Sequence, residues 1–118
     1  MNKMPAKIYH NPRCSKSRQA LQLLRDRDVE VEIVEYLKTP PDEAALRHLL
    51  HMLNLSPRDL MRKQEKEYKE LGLDNPDLDG DNLIKALVEH PRLMERPIVV
   101  KGGAAVIGRP PENVLRLL

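Results

Sequence analysis

The sequence predicts an α/β protein built on a mixed four-stranded sheet, and three observations predict it. The chain opens with a strand, a helix and a second strand. It continues through a wholly helical stretch from about residue 40 to residue 94, then ends in two apolar strands and a short helix. A strand–helix–strand unit implies parallel strands joined by a right-handed crossover, and a terminal hairpin adds antiparallel ones. Helices are expected on both faces, in one domain over residues 1–118, with the helical stretch inserted between the two halves.

Each element has a local reason. Ala6–Tyr9 is a short apolar run, and Ala20, Leu21 and Leu24 then recur at helical spacing, which predicts a helix from about Ser15 to Arg27. Val29, Val31 and Ile33 alternate with Glu30 and Glu32, a period of two that marks a strand with one buried face. Thr39 can cap the next helix, Pro40 suits its first position and Asp42 follows three residues on. That helix carries Leu46, Leu49, Leu50 and Leu53.

Ser56-Pro57-Arg58-Asp59 repeats the start signal, and Leu71-Gly72 reads as a helix ending at glycine. A further helix runs from about Asp81 to Glu89, with Leu83, Ile84, Leu87 and Val88 inward, and stops before Pro91. Pro97–Val100 and Ala104–Ile107, joined by Lys101-Gly102-Gly103, form a hairpin. Pro111–Leu118 closes the chain as a short helix bearing Val114, Leu115 and Leu118.

Composition narrows the function. With 118 residues, 41% apolar and 32% charged, the chain is an ordinary globular domain. It has neither Trp nor Phe, so its core is aliphatic. A net charge of +2, with no Lys/Arg run and no interleaved aromatics, argues against nucleic acid. No apolar run reaches membrane-spanning length, and Met1-Asn2-Lys3-Met4-Pro5 is too short and polar for a signal peptide. One cysteine permits no intrachain disulfide, which fits a reducing cytoplasm.

That cysteine, Cys14, stands in His10-Asn11-Pro12-Arg13-Cys14-Ser15-Lys16-Ser17-Arg18, between the first strand and the first helix. Helix N–H groups and the positive end of the helix dipole converge there, which favours a thiolate and attracts anions. Arg13, Lys16 and Arg18 flank it and either steer anions or simply form an exposed helix end. Other clusters are weaker. His48 and His51 lack further ligands, and the Asp77, Asp79, Asp81 series fails the calcium-loop pattern at Asn82 and Val88, leaving an acidic loop with a helix cap. No metal is expected.

The element order, with a cysteine opening the first helix and Arg96-Pro97 opening the third strand, resembles the thioredoxin/glutaredoxin fold. In that fold a cis-proline lies beside the active cysteine, and Pro97 is the matching position. Six blocks sharpen the resemblance: His10-Asn11-Pro12-x-Cys14-x-x-Ser17-Arg18, Tyr36-Leu37-x-Thr39-Pro40-Pro41, Leu60-Met61-Arg62-Lys63, Tyr68-x-Glu70-Leu71-Gly72-Leu73, Arg96-Pro97-Ile98-Val99-Val100 and Arg109-Pro110. In this order they resemble the glutaredoxin-linked arsenate reductases, over nearly the whole chain.

The resemblance implies arsenate as substrate, Cys14 as nucleophile and Arg62, Arg96 and Arg109 as oxyanion-binding residues. His10 is the neighbouring histidine, either a structural turn or packing residue or, beside Cys14, a source of positive charge for the thiolate. Ser17 takes the place of the second cysteine of Cys-x-x-Cys oxidoreductases and can donate a hydrogen bond to the thiolate. No cofactor is expected to be bound. Glutathione is the implied co-substrate, and with no second cysteine an external thiol, glutaredoxin, resolves the mixed disulfide.

Three rivals stand beside this reading. Phosphatase-like reductases need an arginine six residues after the cysteine, where this chain has Ala20. A polymerase-binding redox regulator needs the Cys-x-x-Cys pair that Ser17 interrupts. A glutathione-dependent thiol or disulfide reductase of the same fold, without arsenate, is the serious alternative, because the arginines could bind glutathione carboxylates.

Overall fold

A computed structural model describes residues 4–118. The opening residues 1–3 of the segment read above as no signal peptide lie outside the described residues. The chain divides into two compact units. One comprises the chain up to Thr39 together with Arg96–Leu118, and the other is Pro40–Glu95.

The first unit holds a four-stranded sheet in the order β2-β1-β3-β4. Its strands are β1 (Ala6–His10), β2 (Val31–Glu35), β3 (Ile98–Lys101) and β4 (Ala104–Ile107). The β1–β2 pair is parallel, with Ile8 opposite Ile33, because helix α1 (Ser15–Asp26) carries the chain back between them. β3 runs antiparallel to β1, with Ile8 opposite Val99, and β4 antiparallel to β3. The sheet is therefore mixed, as the sequence predicts, and the glycine turn at Gly102 and Gly103 has the left-handed φ that only glycine adopts readily.

Ala6, Ile8 and Val99 from the sheet bury together with Ala20, Leu21 and Leu24 of α1 and Val114 of the last segment. That segment, Pro111–Leu117, is a tight three-residue-per-turn helix, not an α-helix. Gly108 sits where the layers meet. A Cβ placed there would lie 2.8 Å from Pro97 Cγ and 3.4 Å from both Ala20 Cβ and Val114 Cγ1. Glycine permits the close approach, and the Gly108 N–H donates to Pro97 O at 2.8 Å.

β2 departs from expectation. The alternation predicts one buried face through Val29, Val31 and Ile33, yet Ile33 is 40% exposed. Val29 and Val31 do pack against the core. β2 is an edge strand with a neighbour on one side only, so the cover that reaches Val31 does not extend to Ile33.

The second unit is helical: α2 (Glu43–Leu53), α3 (Lys66–Glu70) and α4 (Gly80–Glu89), with short 3₁₀ turns at Pro57–Leu60 and Pro91–Leu93. α4 packs against α2 and against both turns. The cap of α2 is Asp42, whose carboxylate accepts from the Ala45 N–H at 2.8 Å, and not Thr39. The reason is Pro41, which disfavours helical geometry at the residue before it and holds off the helix until the pair of prolines is past. Asp79 caps α4 by accepting from the Asn82 N–H at 2.8 Å, so the acidic loop is a helix cap, as its pattern predicts. Ser56 and Asp59 form the predicted start signal, but it opens only a 3₁₀ turn.

Among the described residues no helix is long and apolar enough to cross a membrane.

Candidate active site

Cys14 caps α1 with extended backbone, φ −95° and ψ 121°, and is 9% exposed. Its N–H donates to Asn11 O at 3.0 Å and its carbonyl accepts from the Arg18 N–H at 3.0 Å, the first bond of the helix. The loop before it is pinned from three sides. Asn11 Oδ1 accepts from the Arg13 N–H, Ser17 Oγ accepts from the Asn11 N–H, and Arg18 Nη1 donates to Pro12 O. The first turn of α1 contains no acidic residue, so its unpaired N–H groups and dipole act on the thiol without opposition.

Arg109 reaches Cys14 from beyond the hairpin, 95 residues away in sequence. Its Nη2 lies 3.6 Å from Cys14 Sγ and its Nε donates to Arg96 O at 2.7 Å. The Arg96–Pro97 peptide bond is cis, as is Arg109–Pro110. Arg96 itself has two buried guanidinium nitrogens, Nε and Nη1, that meet no hydrogen-bond partner. A buried donor of a charged group without an acceptor is unfavourable.

The two residues expected to support the thiolate, Ser17 and His10, are hydrogen-bonded to each other. Ser17 faces His10. Fully buried, its hydroxyl lies 2.6 Å from His10 Nδ1 and also takes the Asn11 N–H at 3.1 Å. His10 is 6% exposed, and burial pushes its pKa below the ordinary histidine value; Glu35 works the other way, while Arg25 and Arg18 add to the depression. Its contact with Ser17 makes it a strut between β1 and α1.

Arg62 belongs to the helical unit and is held there by a short ion pair with Glu65, which Arg92 approaches at 3.8 Å on its other oxygen. Its backbone N–H donates to Leu93 O. Sequence reading missed Glu65, although the i,i+3 spacing of opposite charges was the available signal. It also overlooked Asn11, whose signal is an Asn-Pro turn. His48 and His51 both face solvent. Among the described residues no group of three or more His, Cys, Asp or Glu side chains is placed to hold a metal ion.

What gathers around Cys14 is a thiol at a helix start with a guanidinium on its sulfur, chemistry suited to nucleophilic attack on an anion. Comparison with known proteins agrees. Residues 9–117 match the model of the ArsC family. An arsenate reductase of Neisseria meningitidis is 54% identical over 113 residues, spanning 95% of this chain and 97% of that protein. YfgD of Escherichia coli, described only as an uncharacterized protein, is 58% identical over 113 residues, 95% of both chains. The solved structure of an arsenate reductase from Vibrio cholerae superposes with a TM-score of 0.96 at 47% identity, covering 99% of this chain and 100% of that one. With the family's sequence signature and thioredoxin-like fold both present over nearly its whole length, the chain belongs to the ArsC family.

Proposed function

We propose that this protein is an arsenate reductase in which Cys14 is the nucleophile and glutathione and glutaredoxin supply the electrons, working in the cytoplasm. The observation that carries the reading is Arg109, anchored by Nε on Arg96 O and directed by Nη2 onto the Cys14 sulfur. Such a cation stabilises a thiolate before substrate arrives and offers further N–H donors to an oxyanion afterwards. The buried nitrogens of Arg96 that lack a partner support the same reading. Arg62 enters from the family resemblance alone, as the third oxyanion arginine.

Arsenate near neutral pH is a tetrahedral oxyanion with one to two negative charges. The Cys14 thiolate attacks arsenic, an S–As bond forms, and one arsenate oxygen leaves as hydroxide or water. The glutathione thiolate then attacks the Cys14 sulfur. An S–S bond forms as the S–As bond breaks, its electron pair stays on arsenic, and arsenic passes from the pentavalent to the trivalent state. Arsenite leaves. The remaining Cys14–glutathione disulfide has no second cysteine to resolve it. A glutaredoxin thiolate takes the glutathione sulfur and returns Cys14 as thiolate. No bound cofactor takes part.

The test is arsenate-dependent NADPH oxidation with glutathione, glutathione reductase and glutaredoxin, for the wild-type protein and Cys14→Ser. The expected result is turnover that needs both glutathione and glutaredoxin and disappears in the variant. Turnover in Cys14→Ser near the wild-type rate overturns the nucleophile. No arsenate turnover by folded protein, with reduction of a glutathione mixed disulfide instead, replaces arsenate by the thiol-disulfide reaction.

A further inference from the structure

We infer that Asn113 is a positioning residue that aims Arg109 at the Cys14 thiol. Arg109 sits at the end of the turn that follows β4, an exposed place from which a long side chain has many directions open to it. Its guanidinium nevertheless spans Arg96 O and Cys14 Sγ at once, at 2.7 and 3.6 Å. That needs a fixed backbone beneath it.

Asn113 supplies the fixing. Its Nδ2 donates to Ile107 O at 3.2 Å and to Arg109 O at 3.0 Å, bridging the two carbonyls that flank Gly108. On the other side the Gly108 N–H is held by Pro97 O at 2.8 Å. The turn 107–109 is thus tied to the last segment by one amide and to the third strand's entry by another. Asn113 itself is set by its own N–H, which donates to Pro110 O at 3.0 Å. Only a planar amide carries two N–H donors on one nitrogen at this reach, so a hydroxyl or carboxylate at 113 cannot reproduce the bridge.

Asn113 touches neither the sulfur nor, by this geometry, the anion, and so acts through Arg109 alone. The inference deepens the proposed reaction and rests on Arg109 serving the Cys14 thiol. It does not need arsenate to be the substrate, and its test is accordingly read without arsenate. The rate of Cys14 alkylation is measured with iodoacetate and with iodoacetamide, reagents of the same size that differ in charge. The ratio of the two rates cancels changes in thiol exposure and reactivity and leaves the attraction of a nearby cation for the anionic reagent.

Asn113→Ala should lower that ratio about fivefold, the equivalent of one ordinary hydrogen bond. Arg109→Ala should lower it at least as much, and the double variant should fall no further than Arg109→Ala alone. An unchanged ratio in Asn113→Ala, or a double variant that multiplies the two losses, overturns the inference. Should Asn113→Ala not fold, Asn113→Leu, which keeps the length and branching of the side chain without its donors, gives the same readout. A lowered ratio in a protein that does not turn over arsenate would uphold Asn113 while removing the proposed substrate.

Discussion

The two compact units treat their arginines differently. In the helical unit two arginines are answered by carboxylates: Arg47 is held by Glu43 at 2.8 Å and Asp81 at 2.6 Å, and Arg62 by Glu65, while Arg58 donates to the carbonyls of Leu73 and Asn75. In the sheet unit Arg96 has two buried nitrogens with no partner, and Arg109 spans a carbonyl and a thiol. The helical unit also has a depression, an open groove of about 560 Å³ beside Arg47, His51 and Ile84. Its arginine is already paired with Glu43 and Asp81, and no cysteine lines it. Concavity marks the groove, but a guanidinium resting on a thiol marks the site. The lesson is to look for polar groups gathered on a nucleophilic atom before looking for holes.

The sharpest way to break this comparison is to remove one arginine from each unit. Arg109→Ala should reduce kcat/KM for arsenate by about a hundredfold, as loss of a preorganised charged donor does. Arg47→Ala, which removes an exposed surface network, should stay within about twofold of wild type. Equal losses in the two variants, measured in the coupled NADPH assay, would show that contact with the Cys14 sulfur does not set Arg109 apart from Arg47.

Glycines sharpen it at the level of packing. A Cβ at Gly108 meets the Pro97 ring at 2.8 Å, whereas a Cβ at Gly80, the first residue of α4, comes no nearer than 3.8 Å to Pro57. Gly108→Ala should destabilise the protein by about 1–3 kcal/mol through overpacking. Gly80→Ala should stabilise it by up to about 1 kcal/mol through helix propensity. Urea denaturation measures both, and a stabilised Gly108→Ala would mean that the layers around Pro97 can move apart.

The smallest effect concerns His10. Because its folded pKa is depressed, the unfolded chain takes up the proton first as pH falls through about 6.5. Unfolding then binds protons, so stability should drop with falling pH in that window and level off below the folded pKa. His10→Asn, which keeps an acceptor for Ser17 near the Nδ1 position, should flatten the curve. Identical pH profiles for the two proteins would place the dependence elsewhere.

Much of the architecture was legible because it is written in periodicity. Ala20, Leu21 and Leu24 at helical spacing gave α1, and the apolar runs around Gly102-Gly103 gave the hairpin, since each needs only neighbours in sequence. What failed was set by neighbours in space or by a local conflict between rules. The exposure of Ile33 follows from which strand is at the edge. The displaced cap at Asp42 follows from two prolines competing for one helix start. The site divides the same way. Cys14 at a helix start could be read from the chain, but the reach of Arg109 across the hairpin could be reached only through family resemblance. The pairing of the Ser17 hydroxyl with His10 had no signal at all, because a buried histidine seven residues earlier does not announce its partner.

That hydroxyl has a consequence for redesign. Ser17 differs by one atom from the second thiol of a two-cysteine oxidoreductase. Yet its oxygen knits β1 to α1 through His10 and the Asn11 N–H. Sulfur is larger and a weak partner in both roles. A cysteine placed at position 17 would therefore bring a second thiol only by loosening the clasp that holds the loop before Cys14.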